Sequence, residues 1–341
     1  MKLIFCSQGP RTFSEVVVLT VHDLGCDRSM YVDFVDRPNM KQIRDRTVWV
    51  HVIIPGQGLK ADPLPADYQF PTMQQIGEDL IHVLDQLKIK EVVCFGEGAG
   101  ANILARFAMT YIERVLGVVL IHCTGTTAGF LDSLKDKVIN WKLDHIGMNP
   151  TAEAYLVLHR FGISSSNEFG RAQDQEQLKA AIQNYQDTLR TKTNPKNLTK
   201  FVDAFLKRTA ISDQAKIQRL KCPVLLITGQ KSVFNSTTRN LHGAIMKSCA
   251  DKGKVDFIEV SGVANVLEGK PEKVVECLLY FMQGLGLVSS VPMNHVSRAP
   301  RLRSLSMEEY DLPLRNRTLS GGSGTGSPLV GTPPNQTPIC N

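Results

Sequence analysis

The feature that most constrains the fold is a glycine-rich turn between a strand pattern and a helix pattern, within residues 91–106. The apolar run at 92–95 is typical of a strand that is buried on both faces. After the turn, apolar residues recur on one side of a predicted helix, at Ile103, Leu104 and Phe107. A strand, a sharp turn and a helix in succession indicate an α/β fold, with a mostly parallel central sheet and helices on both faces.

The turn has the spacing of the nucleophile elbow of α/β-hydrolases, in which Gly-x-Ser-x-Gly lifts a serine out of the sheet. Residues 96–100 read Gly-Glu-Gly-Ala-Gly, so every small position is kept and the nucleophile position is Gly98. Glycine adopts the strained backbone of such a turn without steric cost. We therefore predict an α/β-hydrolase fold whose elbow has kept its shape and lost its nucleophile.

Two other interpretations of this turn stay open. Gly96, Gly98 and Ala101 approximate the Gly-x-Gly-x-x-Gly/Ala pattern of dinucleotide-binding folds, although no ribose-binding acid follows at the usual distance. Alternatively, Glu97 is the nucleophile and the register moves back by one residue. That register would place the bulky Phe95 where the tight turn needs a small residue.

The other two positions of a catalytic triad also lack the expected residues, an acid and a histidine. Residues 229–232 follow a predicted strand where hydrolases commonly carry an acid, and Ser232 takes that position. The predicted last strand, 255–260, is followed by Asn265 near the expected place of the catalytic histidine. Without a nucleophile and its base, only binding and oxyanion contacts are left. Three losses in the expected order predict a catalytically inactive protein.

Four polar residues near the predicted strand ends indicate a vestigial pocket. His22 and Asp23 follow the first central strand, in a loop that helps to form the oxyanion hole of hydrolases. A structural histidine that ties down the loop is the favoured interpretation of His22. Glu97 precedes the elbow glycine, and His122 follows another predicted strand. The alternative function is therefore a weak hydrolase, or a small-molecule or lipid-binding protein, that uses these residues.

The predicted elements divide the chain into four parts. Residues 1–127 form the first part of the core, and residues 217–287 form the second. Between them, residues 128–216 lack a strand pattern and predict an inserted helical cap over the carboxyl ends of the strands. Residues 288–341, rich in Ser, Gly, Pro, Arg and Thr, predict a disordered regulatory tail. Strands are predicted at 16–21, 48–54, 92–95, 115–121, 223–228 and 255–260, and helices at 73–87, 130–143, 151–161, 173–190, 197–208, 238–249 and 272–282.

Composition excludes several classes of protein. The net charge of the 341 residues is +6, but no dense Lys/Arg run occurs, so we expect no nucleic-acid partner. The eight cysteines are scattered without a Cys-x-x-Cys pair, which favours reduced thiols over disulfides or a metal site. No apolar run approaches the roughly 20 residues of a transmembrane helix, and no signal peptide is evident. We therefore expect a cytoplasmic protein without a cofactor, for which peripheral membrane association stays open.

The predicted tail carries two near-copies of one motif. Residues 301–306 read Arg-Leu-Arg-Ser-Leu-Ser and residues 315–320 read Arg-Asn-Arg-Thr-Leu-Ser, both of the form Arg-x-Arg-x-x-Ser. Two arginines before a serine suit the acidic groove of a basophilic Ser/Thr kinase. Each phosphate would add about −1.5 to −2 charge. We therefore predict phosphorylation at Ser306 and Ser320.

Five segments of the sequence form a recognisable set: Val-Leu-Thr-Val-His-Asp-Leu-Gly at 18–25, Pro-Gly-Gln at 55–57, Pro-Thr-Met-Gln-Gln at 71–75, Gly-Glu-Gly-Ala-Gly-Ala at 96–101 and Phe-Met-Gln-Gly-Leu-Gly at 281–286. Together they resemble the N-myc downstream-regulated (NDRG) family. The resemblance covers roughly residues 13–290 and extends to the arginine–serine repeats of the tail. It implies an α/β-hydrolase fold without working catalytic machinery, a cytoplasmic location, and roles in stress signalling, differentiation and trafficking.

The resemblance also implies partners. Tails of this family are substrates of AGC-type kinases, which carries over to Ser306 and Ser320. Protein partners are expected at the cap helices and the tail. The chain departs from the family at residues 229–232, because many members keep an aspartate near that strand end. This departure makes catalysis still less expected.

Overall fold

One sheet organises the part of the chain that the structure describes. This computed structural model describes residues 4–8, 16–127, 146–162, 174–249 and 251–288. In these residues, six parallel strands and one antiparallel edge strand form a sheet in the order β1-β3-β2-β4-β5-β6-β7. The mostly parallel sheet is confirmed. The strands are β1 (Ile4–Gln8), β2 (Val16–Val21), β3 (Thr47–Ile53), β4 (Val92–Glu97), β5 (Val115–Ile121), β6 (Val224–Gly229) and β7 (Val255–Val260).

The predicted helices are found where the described residues cover them, with ends shifted by up to three residues. The helix predicted at 130–143 lies outside the described residues, and so do the tail beyond residue 288 and its Ser306 and Ser320. The described helices are α1 (Ser29–Val35), α2 (Lys41–Arg44), α3 (Met73–Gln86), α4 (Gly98–Thr110), α5 (Pro150–Phe161), α6 (Asp174–Thr191), α7 (Pro195–Leu206), α8 (Gln214–Ile217), α9 (Asn235–Ser248), α10 (Val266–Gly269) and α11 (Pro271–Gly284).

Apolar side chains cover both faces of the sheet, as a parallel sheet requires. Successive residues of a strand point to opposite faces, and Val18 and Leu19 of β2 accordingly belong to different hydrophobic clusters. One cluster joins the sheet to α3, α4 and the inserted helices α5 to α7. The other joins it to α1 and α11. The carboxyl ends of the strands therefore meet at one edge, between two helical layers.

Local signals fix where two helices begin. The hydroxyl of Thr72 accepts a hydrogen bond from the backbone N–H of Gln75, whose side chain accepts one from the Thr72 N–H. This capping box, predicted from the sequence, starts α3. The other helix, α4, begins at Gly98 directly after β4. The central strand therefore turns into the helix without an intervening loop.

The inserted helices α5 to α7 lie between β5 and β6 in sequence and are held to the core by buried amides. Asn197 of α7 donates from Nδ2 to the carbonyl oxygens of Gly56 (3.0 Å) and Asp62 (2.9 Å), and its Oδ1 accepts from the Leu64 N–H (2.9 Å). Gln57 donates to the Asn197 carbonyl at 2.8 Å. These bonds fix α7 over the loop that follows β3. The cap boundaries at 128 and 216 stay a prediction.

We expect Gly100→Ala to destabilise the protein by about 3 kcal/mol or more, because a Cβ atom there would collide with the carbonyl of Val21. Gly243→Ala in α9 is the matched control, since nothing lies within 4 Å of its added Cβ. Removing an unneeded helix glycine should stabilise the protein by about 0.5–1 kcal/mol. The free energy of unfolding in urea measures both, and equal effects would contradict the close approach of α4 to β2.

Candidate functional site

The elbow has the predicted backbone, and its glycine is required. Gly98 has φ +56°, a left-handed conformation, whereas Glu97 before it is extended at φ −119°. The strained position of the turn is therefore Gly98, which argues against a register with Glu97 as nucleophile. A Cβ atom on Gly98 would collide with the carboxylate of Asp23. The space of a nucleophile side chain is thus taken by a side chain from the loop after β2.

Asp23 occupies half of the expected oxyanion hole. Its Oδ1 accepts a hydrogen bond from the Ala99 N–H at 2.7 Å, and Ala99 is the residue after the nucleophile position. In α/β-hydrolases this N–H stabilises the oxyanion of the intermediate. A dinucleotide would place its pyrophosphate at the same helix N-terminus. The carboxylate of the protein itself stands where either anion would bind.

The inserted helix α5 supplies the partner of this buried carboxylate. Nε2 of His159 lies 3.1 and 3.2 Å from the two carboxylate oxygens of Asp23. Burial opposes ionisation of Asp23, but His159 and the Ala99 N–H outweigh it and hold the pKa of Asp23 below its ordinary value. An ionised carboxylate only accepts hydrogen bonds, so Nε2 of His159 is the donor. The result is a buried pair that links the inserted helix to the elbow.

Glu97 has a different protonation state. Its Oε1 accepts from Nδ2 of Asn265 at 3.0 Å, while its Oε2 lies 3.7 Å from Nη1 of Arg160 and has no hydrogen-bond partner. Burial raises the pKa of Glu97 to about 8, against the opposing charge of Arg160 and with the support of Asp23. Glu97 is therefore mainly protonated at neutral pH. Only one of the two neighbouring carboxyl groups carries a charge.

Arg160, next to His159 on α5, is held by groups on the core. It donates from Nη2 to Oε1 of Glu268 at 2.9 Å and from Nη1 to the sulfur of Cys26 at 2.7 Å. Its guanidinium carbon lies 5.4 Å from the ring centroid of Tyr185, in a cation–π contact. Although burial disfavours its charge, these neighbours keep the pKa of Arg160 high. Two successive residues of one helix therefore bind two separate acids of the core.

Both histidines of the predicted vestigial pocket are buried and hydrogen-bonded within the core. Nε2 of His22 accepts from the Ile54 N–H at 3.1 Å, so its Nδ1 carries the proton and donates to the Asp23 carbonyl at 2.9 Å. Burial lowers the pKa of His22, and it lowers that of His122 to about 3. Nε2 of His122 lies 3.8 Å from Oε1 of Glu97. The imidazole of His122 and the carboxyl group of Glu97 are both neutral at neutral pH, so this contact is not an ion pair.

The structure brings most of the predicted positions together, but not all of them. Gly98, Asp23, Glu97 and His122 gather at the elbow with Asn265, whose Oδ1 caps α10 by accepting from the Glu268 N–H. The hydroxyl of Ser232 instead accepts a hydrogen bond from the Phe234 N–H within its own turn. The triad positions therefore hold a turn glycine, a turn serine and a capping asparagine.

Sequence reasoning missed the residues that complete this centre. His159 and Arg160 lie in a correctly predicted helix, but basic residues in a last helical turn are usually explained by the helix dipole. Tyr31, which accepts from the Glu97 N–H at 2.8 Å and donates to the Val21 carbonyl at 3.1 Å, lies on a helix too short to predict. The one sequence signal for these residues was the excess of polar residues at the strand ends. Such residues need hydrogen-bond partners when they are buried, but the signal does not identify the partners.

In the described residues, no group of three or more His, Cys, Asp and Glu side chains is placed to hold a metal ion. The same part of the chain has no helix that is long and apolar enough to cross a bilayer.

Comparisons with known proteins agree with this geometry. A sequence profile of the Ndr family matches residues 2–289. An uncharacterized protein of Caenorhabditis elegans is 37% identical over 303 residues, which are 88% of this chain and 86% of the relative. Protein NDRG2 of Danio rerio is 28% identical over 317 residues, 91% of this chain and 79% of the relative.

Solved structures show the same fold in enzymes. A thermophilic esterase from Thermogutta terrifontis superposes with a TM-score of 0.65 at 16% identity, covering 83% of this chain and 93% of the esterase. An enol-lactonase from Burkholderia xenovorans superposes with a TM-score of 0.64 at 16% identity, covering 82% and 96%. At these identities the likeness establishes the α/β-hydrolase fold and carries no activity.

The elevated pKa of Glu97 predicts a pH-dependent stability. Its pKa is 4.5 ordinarily and about 8 in the folded protein, so between these values the folded state binds more protons than the unfolded state. The contribution of Glu97 to the free energy of unfolding should then fall as pH rises through this window, by up to about 1.4 kcal/mol per pH unit. Glu97→Gln should remove this contribution in urea titrations at several pH values. Glu272→Gln, at an exposed carboxyl of α11, should leave the pH profile unchanged, and an unaltered profile in Glu97→Gln would contradict a neutral Glu97.

Proposed function

The chain belongs to the Ndr family, and from this membership we propose that it is a non-enzymatic signalling or adaptor protein regulated through its C-terminal tail. The proposal places it in the cytoplasm, in stress responses, differentiation or trafficking. Its partners are other proteins and a basophilic Ser/Thr kinase that phosphorylates Ser306 and Ser320. Peripheral contact with a membrane is compatible with these roles.

The observation that carries the non-enzymatic part is the position of Asp23. A serine hydrolase needs a nucleophile hydrogen-bonded to an imidazole, and an empty oxyanion hole beside it. Here the nucleophile position is Gly98, the nearby Ala99 N–H already binds Asp23, and His159 binds the same carboxylate. An incoming ester would have to displace a buried, ionised and hydrogen-bonded group. The centre is built to stabilise its own anion rather than one that forms during a reaction.

The regulatory part is supported by the family and by the repeated tail motif. Both serines follow arginines at five and three positions before them. The tail from residue 291 carries five arginines and three acidic residues, so two phosphates would reverse the sign of its net charge. A charge change of this size can create or remove a binding site for an arginine-rich or acidic partner. Regulation would then act through binding, as an adaptor requires.

We expect no hydrolase activity. The purified protein should neither react with a fluorophosphonate probe nor hydrolyse p-nitrophenyl acetate faster than a heat-inactivated sample. Gly98→Ser should not restore activity, because the serine side chain would collide with Asp23, and the imidazole of His159 already donates to that carboxylate. Labelling of the wild-type protein that is lost in Glu97→Gln would favour the alternative, a weak hydrolase with an unusual nucleophile.

We expect phosphorylation of the tail at two sites. An AGC-type kinase should transfer phosphate to Ser306 and Ser320 of the full chain, as located by mass spectrometry, and Ser306→Ala with Ser320→Ala should abolish most of the incorporation. Ser323→Ala is the matched control, because no arginine lies five or three residues before it. Affinity capture with phosphorylated and unphosphorylated protein should recover different partners. Identical partner sets, or incorporation that survives the double substitution, would count against the proposed regulation.

A further inference from the structure

A cleft on the far side of Arg160 lies between the core and the inserted helices. It has a volume of about 220 Å³ and is lined by α1, α5, α6, α10 and the segments on either side of α1. This is smaller than the roughly 300–1,000 Å³ that is usual for drug-sized ligands. The cleft therefore suits a molecule of the size of one amino acid.

Most polar groups of the cleft are already satisfied within the protein. Glu268 binds Arg160, as described above, and Asp27 accepts from the N–H and the hydroxyl of Ser29 at 2.8 and 2.6 Å. The hydroxyl of Tyr185 donates to the Leu24 carbonyl at 3.0 Å. These contacts form the walls of the cleft and leave little for a ligand to bind.

Four side chains of the lining remain available. Within the described residues, Asp33, Arg37, Asn184 and Thr188 make no side-chain hydrogen bond or ion pair. Asp33 lies on α1 and Arg37 two residues beyond its end. Asn184 and Thr188 lie four residues apart on α6, on one face of that helix. A carboxylate and a guanidinium from one wall, and an amide and a hydroxyl from the other, therefore line one cleft, in which Asp33 and Asn184 are exposed.

The charges of the cleft indicate which end of a ligand goes where. Partial burial and then the nearby Glu268, Asp36 and Asp27 raise the pKa of Asp33, against the opposing effect of Arg37. A positive group beside Asp33 would relieve this repulsion between acids. Arg37 instead favours a negatively charged group, because its buried Nε has no hydrogen-bond acceptor. A guanidinium binds a carboxylate with two parallel hydrogen bonds. A single ligand that carries a positive and a negative group can pair with both Asp33 and Arg37.

We propose that this cleft binds a small zwitterion of the amino-acid type, with its ammonium group at Asp33 and its carboxylate at Arg37. Thr188 and Asn184 add hydrogen bonds to the carboxylate from the opposite wall. An apolar ligand side chain packs on Phe34, Phe161 and Leu267, which line the same cleft. The site goes beyond the signalling role proposed above and does not depend on it.

The main comparison is between L-leucine and two half-molecules, which are analogues that each lack one of its two charged groups. Saturation-transfer NMR and calorimetric titration of the full chain would compare L-leucine with 3-methylbutylamine, which lacks the carboxylate, and with 4-methylpentanoate, which lacks the ammonium group. Glycine and L-valine would report on the contribution of the side chain. We expect L-leucine to bind and each half-molecule to bind at least about tenfold more weakly, since each loses a hydrogen-bonded charge.

Substitutions locate the site. Asp33→Asn and Arg37→Gln should each weaken L-leucine binding at least about tenfold, and Thr188→Val should weaken it less. The matched controls Asp67→Asn and Arg46→Gln, on residues outside the cleft lining, should leave it unchanged. Absence of binding by all three amino acids, equal binding of either half-molecule, or equal effects of the control variants would overturn the proposal. Circular dichroism of each variant separates loss of binding from loss of fold.

Discussion

The hydrogen bond from the Ala99 N–H to the buried carboxylate of Asp23 is the contact on which the rest of the polar centre depends. It places a full negative charge at the start of α4, where unpaired backbone N–H groups favour an anion. Burial of that charge is tolerated only because His159 donates to it as well. The neighbouring acid, Glu97, stays protonated chiefly because it is buried, and the negative charge of Asp23 adds to this effect. This contact therefore places the ionised carboxylate of the pair at the elbow, beside a protonated one.

The elements near the elbow could be predicted because their signals are local. The apolar runs identify the parallel strands, and a glycine where a hydrolase has its nucleophile indicates a left-handed residue, which Gly98 proves to be. Since the carboxyl ends of parallel strands meet at one edge, the grouping of Asp23, Glu97 and Asn265 also follows from the strand order. For these residues, sequence position and spatial position are linked by the sheet itself.

The remaining parts could not be predicted because they depend on contacts between distant segments. His159 reaches Asp23 across 136 positions of the chain, and periodicity places it on a helix without saying what that helix meets. The edge strand β1 and the helices α1 and α2 are too short for a clear period. Protonation is a further step away, because the raised pKa of Glu97 is a property of burial and neighbours. Ser232 is a case in which the position along the chain misleads. It takes the expected triad position in sequence, but its side chain does not join the polar centre at the elbow.

The adjacency of His159 and Arg160 has a mechanical consequence. Successive residues on a helix point about 100° apart, yet each of these two is tied to a different acid of the core, Asp23 and Glu268. A one-residue slide of α5 would break both ties, because both are made by the same turn of one helix. Displacement of this helix would therefore cost the protein two buried polar contacts together.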